Sequence, residues 1–153
     1  MDEVVARSLA KWPDVPAVYG WLSLDRRGNW LIKGERIGNI ALREFIARNY
    51  ESDGSGRWFF KNGPQRVYVR LAYTPLVVRF DGNNALIDHC GRSFVAAQTF
   101  VDDEGSVLMA GNGTVALMDD RDLARFAEEG DRLPRIPRHE VAGKYGFDPD
   151  PAP

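Results

Sequence analysis

Apolar positions along this chain recur at two spacings, and Asp, Gly and Pro mark where one gives way to the other. Val5, Leu9 and Trp12 stand at i, i+4 and i+7, the stripe of a short amphipathic helix over residues 2–11. Trp12-Pro13 closes it, because a residue before proline is pushed out of the α region, and residues 14–16 follow as an extended connector. Residues 19–24 and 29–33 alternate as strands around the loop Asp25-Arg26-Arg27-Gly28. Residues 40–50 return to the helical period, with Asn39 as N-cap and Leu42, Phe45 and Ile46 on the buried side.

The organising stretch is residues 57–80, RWFFKNGPQRVYVRLAYTPLVVRF. Three apolar runs are broken at Asn62-Gly63-Pro64 and at Thr74-Pro75, where glycine permits positive φ and proline removes a donor. Three strands so close in sequence predict an antiparallel meander, since parallel neighbours need crossovers of about a dozen residues. Further strands are expected at 85–89, 93–101, 107–110 and 114–117. A helix over 120–129 is expected next, opened by Asp119 as N-cap and closed by Gly130. From residue 131 prolines stand at 134, 137, 149, 151 and 153, and residues 146–153 read as a disordered tail.

The pattern repeats. Asp25, Gly28, Leu31 and Gly34 match Asp102, Gly105, Leu108 and Gly111 at one offset, and Leu42 and Phe45 match Leu123 and Phe126 four residues later in register. D-x-x-G turns are common and Leu-x-x-Phe suits any amphipathic helix, but the shared order and spacing favour duplication. The expected fold is α+β: mostly antiparallel strands in two duplicated lobes of strand–turn–strand–helix, plus a short N-terminal helix. The segments are then 1–18 (helix and connector), 19–84 (first lobe), 85–138 (second lobe) and 139–153 (Pro-rich tail). Phe45, Val67, Val69, Leu71, Leu123 and Phe126 are expected in the core, and the cleft between lobes is the default ligand site.

YGWLSLDRRGNW, the helix ending FIARNY, and GRWFFKNGPQRVYVRLAYTP resemble a family of small uncharacterised proteobacterial proteins. More distantly, the succession GxW, glycine, helix, DGxW, V-x-V-x-L and proline resembles a second family of unknown function. That resemblance spans residues 19–127 and implies two similar α+β lobes and a link to signal transduction. Neither family implies an active site.

Composition narrows the classes. Hydrophobic residues at 44% and charged residues at 27% are ordinary for a globular protein. A net charge of −2 lacks the basic footprint of a nucleic-acid binder, so nucleic acid is not expected as a partner. One cysteine, Cys90, precludes an intramolecular disulfide and suits a reducing cytoplasm. The amino terminus is too poor in apolar residues for a signal peptide, and no run reaches the ~18 apolar residues of a membrane span. A cytoplasmic protein without membrane attachment is expected.

Candidate chemistry is sparse. In Asp88-His89-Cys90, neighbours on a strand point to opposite faces, so His89 does not activate the thiol. His139 stands alone, and no spacing of His and Cys makes a metal site. Gly111-Asn112-Gly113-Thr114 lacks the ending of a phosphate loop and reads as a hairpin turn. Asp102-Asp103-Glu104 reads as a solvated turn, and Asp119, Asp120 and Asp122 as helix capping. No metal, flavin or nucleotide cofactor is expected.

Arg66, Tyr68 and Arg70 alternate onto one strand face, with Val67, Val69 and Leu71 on the other and Trp58, Lys61 and Arg79 on neighbouring strands. Such a face suits an anion, a peptide or a single strand, through guanidinium forks and stacking. Its bland counterpart is the solvent side of a half-buried sheet. The favoured reading is a non-catalytic binding module in regulation or signalling, for a protein or small anionic ligand, with Arg66, Tyr68, Arg70, Trp58, Asp88 and His89 as ligand-binding residues. One alternative is an enzyme on a small anionic substrate in the inter-lobe cleft, clamped by Arg66 or Arg70 with Asp88 or His89 carrying the proton. Another is a self-associating structural protein, a homo-oligomer formed through an apolar patch at Trp58 or Tyr68.

Overall fold

A computed structural model describes residues 2–153. The chain is α+β, with two sheets that divide between two compact units. Among the described residues no helix is long and apolar enough to cross a membrane.

The first unit comprises residues 2–25, Asn29–Ala72 and Asp148–Pro153. Its elements are α1 (Glu3–Leu9), β1 (Ala17–Leu24), β2 (Trp30–Ile32), β3 (Glu35–Arg36), α2 (Ile40–Arg48), β4 (Tyr50–Ser52), β5 (Trp58–Asn62) and β6 (Gln65–Leu71). Asp2 and Asn39 cap the two helices, accepting from Val4 N–H at 2.7 Å and Leu42 N–H at 3.0 Å. The sheet runs β3-β2-β1-β6-β5-β4, and β1 lies parallel to β6. That pairing is accessible because everything from β2 to β5 forms the crossover. Between Val18 and Leu22 the β1–β6 register shifts, and Gly20 takes φ +69° there. Cross-strand partners share a face, so Leu24 with Leu71, Leu22 with Val69, and Phe60 with Val67 line one side. That side is buried, as are Val5, Leu9 and Trp12 and, on α2, Leu42 and Ile46. Phe60 has Trp12 at 5.9 Å and Phe45 at 5.7 Å between ring centres.

The second unit comprises Arg26–Gly28 and Tyr73–Phe147. It contains β7 (Leu76–Phe80), β8 (Leu86–Asp88), β9 (Ser93–Phe94), β10 (Ala96–Asp102), β11 (Val107–Gly111) and β12 (Thr114–Met118). Two 3₁₀ helices, Asp120–Phe126 and Gly130–Arg132, then lead to β13 (Arg135–Ile136) and α3 (Arg138–Tyr145). The sheet order is β13-β10-β11-β12-β7-β8-β9, parallel at β10–β13 and β7–β12 and antiparallel elsewhere. Successive residues of its centre, Leu76–Val78, Val107–Met109 and Val115–Met118, are all buried, so both faces are covered there.

A strand order recurs in the two units. β1-β2-β3 and β10-β11-β12 are both meanders, and each has a parallel strand on the outer side of its first member. Leu24 pairs with Leu71, and its sequence equivalent Val101 pairs with Arg135. The D-x-x-G turn is less diagnostic than this order, because it is a loop type found throughout. Asp25, Asp53, Asp81, Asp88 and Asp102 each accept the amide of residue i+4 on a carboxylate oxygen. Each also donates its own N–H to the carbonyl of residue i+4, and residue i+3 has positive φ.

Several expectations need correction. The three-strand meander does not form: β5 and β6 pair, but β7 belongs to the other sheet, parallel to β12. Thr74-Pro75 therefore breaks the chain between sheets, and buried Thr74 Oγ accepts from Leu117 N–H at 3.0 Å. The two compact units divide between Ala72 and Tyr73. Residues 138–145 are helical and residues 148–153 are part of the first unit, so the tail is ordered. The helix after Asp119 is 3₁₀ and buries no residue fully, leaving Leu123 and Phe126 half-buried, as Phe45 is also. Asp102, read as solvated, is 0% exposed.

Candidate functional site

The candidate recognition face is the side of the first sheet opposite its helices. β6 places Arg66, Tyr68 and Arg70 there by alternation, and β5 pairing adds Lys61 opposite Arg66 and Phe59 opposite Tyr68. The two aromatic residues are not open: Phe59 is 1% exposed and Tyr68 5%. Tyr19 stacks on Tyr68 with ring centres 4.9 Å apart and planes 5° from parallel. The Arg57 guanidinium lies 4.8 Å from the Tyr68 ring centre, and that of Arg66 lies 4.5 Å from Phe59. Rings and guanidinium groups thus make one layer, in which each cation keeps N–H donors for a further acceptor.

The cations differ in what they already hold. Arg57 donates to Asp53 at 2.8 Å. Burial opposes ionisation of Asp53, but hydrogen bonds from Ser55 and Arg57 outweigh it and bring its pKa down to about 2. Arg70 and Asp150 are both largely exposed and approach to 3.8 Å. Among the described residues Lys61 and Arg66 pair with no carboxylate.

Three of the six expected ligand-binding residues lie elsewhere. Trp58 is on the helix-bearing side, its ring 5.1 Å from Tyr50. Asp88 and His89 belong to the second unit. The Asp88 carboxylate is taken up by the amides of Cys90 and Arg92, at 2.8 and 3.0 Å. His89 Nδ1 accepts from Val77 N–H at 3.2 Å, which requires the neutral imidazole with its proton on Nε2. Burial, then the Asp88 charge, push the Cys90 thiol up to about 12, far from a thiolate at neutral pH. Among the described residues no group of three His, Cys, Asp or Glu is placed to hold a metal ion.

The first unit also contains a cleft of about 610 Å³, whose walls include Leu9, Trp12, Pro13, Pro16, Pro64 and Gln65. Gln65 Nε2 donates to the carbonyls of Pro13 and Val15, both at 2.7 Å, so this polar group is spent on holding the connector. Sequence reading missed the cleft because it depends on where a proline connector meets a hairpin distant in sequence. The clue available was the pairing of Pro13 and Pro16 with a glutamine at a strand start.

The family model DUF2944, described as "Protein of unknown function (DUF2946)", matches residues 1–144. No curated protein matches the chain. Two solved structures resemble it in fold. One is a DUF1285 family protein from Silicibacter pomeroyi DSS-3, with TM-score 0.55 and 18% identity over 82% of this chain and 83% of that one. The other is a DUF1285 family protein from Shewanella baltica OS155, with TM-score 0.50 and 15% identity over 71% of this chain and 91% of that one.

Proposed function

We infer the role of this chain, which belongs to that family of unknown function, from its own geometry: a non-catalytic cytoplasmic binding module for an anionic partner, acting in regulation or signalling. The carrying observation is the layer of Arg57 and Arg66 on the rings of Tyr68 and Phe59. Guanidinium groups held against rings lose less freedom when they meet a carboxylate, and a guanidinium offers it a planar fork. Arg66, Arg70 and Lys61 supply exposed charge around this layer. The enzyme alternative draws less support, since the Asp88 carboxylate accepts backbone amides in its own turn and His89 Nδ1 accepts from Val77. The test is quantitative recovery of cross-linked partners with the wild-type chain and with Arg66→Ala/Arg70→Ala. A partner that uses this face is recovered at least several-fold less with the double variant. Equal recovery of every partner rules the face out.

A further inference from the structure

The β5–β6 ladder stops at the Phe59–Tyr68 pair, and beyond it the backbone has a slot. One wall is the Leu71 amide at the end of β6; the other is the Gly56 carbonyl just before β5. The chain's own residues 148–151, Asp-Pro-Asp-Pro, fill it. Asp148 N–H donates to Gly56 O at 2.9 Å, and Pro149 O accepts from Leu71 N–H at 2.8 Å. Asp150 N–H turns back to the Asp148 carboxylate at 2.9 Å, Asp150 approaches Arg70, and Pro151 is buried.

The chemistry of the slot selects this kind of occupant. It offers one acceptor and then one donor, so the second residue of a ligand needs a carbonyl but has no use for an N–H. Proline there leaves nothing unsatisfied and brings a φ already fixed for extended backbone. Arg70 at one end, with Arg57 and Arg66 on the same sheet face, favours carboxylates. The resident segment is held by two backbone bonds, the buried Pro151 ring and an ion pair that water screens, a small contact suited to exchange. Resting on the binding role above, we propose that this slot is the docking site for an extended acidic Asp-Pro segment of a partner protein, which displaces residues 148–151.

The experiment uses the full chain, isotope-labelled for amide spectra, and a tail-weakened full chain carrying Asp150→Lys and Pro151→Gly. The probe is the synthetic peptide Asp-Pro-Asp-Pro-Ala-Pro. In the weakened chain it is expected to shift the amides of Leu71 and of Arg57, whose N–H shares the peptide plane of the Gly56 carbonyl. In wild type binding is expected at least tenfold weaker, because the tethered segment competes at an effective concentration in the millimolar range. Asn-Pro-Asn-Pro-Ala-Pro, or the acidic peptide with Arg70→Glu added, is expected to bind about tenfold more weakly in the weakened chain. Where the double variant melts early, Asp150→Lys alone serves, since that residue is exposed. No shift at Leu71 and Arg57 with millimolar acidic peptide overturns the proposal, as does equal binding of the neutral peptide. Shifts confined to Arg66 and Lys61 overturn the slot and leave the face standing. A concentration-dependent dimer whose slot ignores added peptide assigns the site to a second copy instead, and overturns it too.

Discussion

Tyr73 donates its phenolic hydrogen to Asp102 at 2.8 Å, and both side chains are buried within the second unit. The other Asp102 oxygen accepts the amides of Glu104 and Ser106, so a carboxylate removed from water has donors on both oxygens. Burial first, then the hydrogen bond and charge of Asp102, raise the Tyr73 pKa above its ordinary value. The guanidinium groups of Arg26 and Arg138 lie 5.3 and 4.6 Å from the Tyr73 ring centre.

Tyr73→Phe takes one donor from a buried carboxylate and is expected to cost about 1–3 kcal/mol in urea unfolding. The sign of its pH dependence follows from the raised phenol. Its contribution is full below the unfolded value of 10.0 and is lost as pH rises through the higher folded value. The difference between wild type and variant should therefore hold at pH 7–9 and shrink above pH 10. A difference unchanged by alkali would contradict this account.

Gly28 and Gly105 occupy the same position in two copies of one turn, with φ +82° and +84°. A Cβ on Gly105 meets nothing within 4 Å, whereas one on Gly28 would lie 2.5 Å from the Cβ of His89. Gly105→Ala is expected to cost about 1–2 kcal/mol, the backbone penalty alone. Gly28→Ala adds a clash that no rotamer change relieves, so its melting temperature should fall distinctly further. Equal losses in paired thermal melts would show that the space around Gly28 does not matter.

Asp53 is the group whose titration should be visible in acid. Its lowered pKa means that its stabilisation is present above about pH 4 and is lost as pH falls towards 2. With the guanidinium partner a third exposed, the contribution is on the order of 1 kcal/mol. Asp53→Asn should flatten that part of the acid-unfolding curve, the difference from wild type shrinking as pH falls from 4 and nearly vanishing below about pH 2. A variant that follows the wild-type curve throughout would remove Asp53 from the account.

Cys90 should be slow to alkylate in the folded chain. With its pKa pushed up to about 12, the thiolate at pH 8 is about a thousandfold scarcer than for an ordinary cysteine. Iodoacetamide labelling followed by mass spectrometry should show this slow phase, and urea should abolish it. Rapid labelling of folded protein would mean that the thiol is open to solvent.

Where the information was local, sequence reading reached the structure. Asn39 and Asp119 cap the helices assigned to them, and the hairpins at Asp25 and Asp102 lie where their glycines demand φ near +80°. The alternation in β6 set Val67, Val69 and Leu71 against Arg66 and Arg70. The site was less legible. Alternation puts Tyr68 on the strand face of Arg66 and Arg70, but its cover by Tyr19 and Arg57 depends on residues from other strands and loops. Sequence alone groups Trp58 with the basic face because it identifies neighbouring strands without their register, and a one-residue slip turns a side chain over.

The sequence by itself determined turns, caps, alternation and the α+β class, all of which depend on residues a few positions apart. Only tertiary structure decided which strands became neighbours beyond the local hairpins. A proline break such as Thr74-Pro75 ends a strand in the same way whether the chain then returns to that sheet or leaves for another. Parallel pairing of β1 with β6 and of β7 with β12 joins residues some 40 or more positions apart, and the apolar runs that make it favourable suit an antiparallel partner equally well. Residues 148–151 show the same limit: Asp-Pro repeats are disordered in isolation, and become ordered where Gly56 and Leu71 leave a backbone acceptor and donor unpaired.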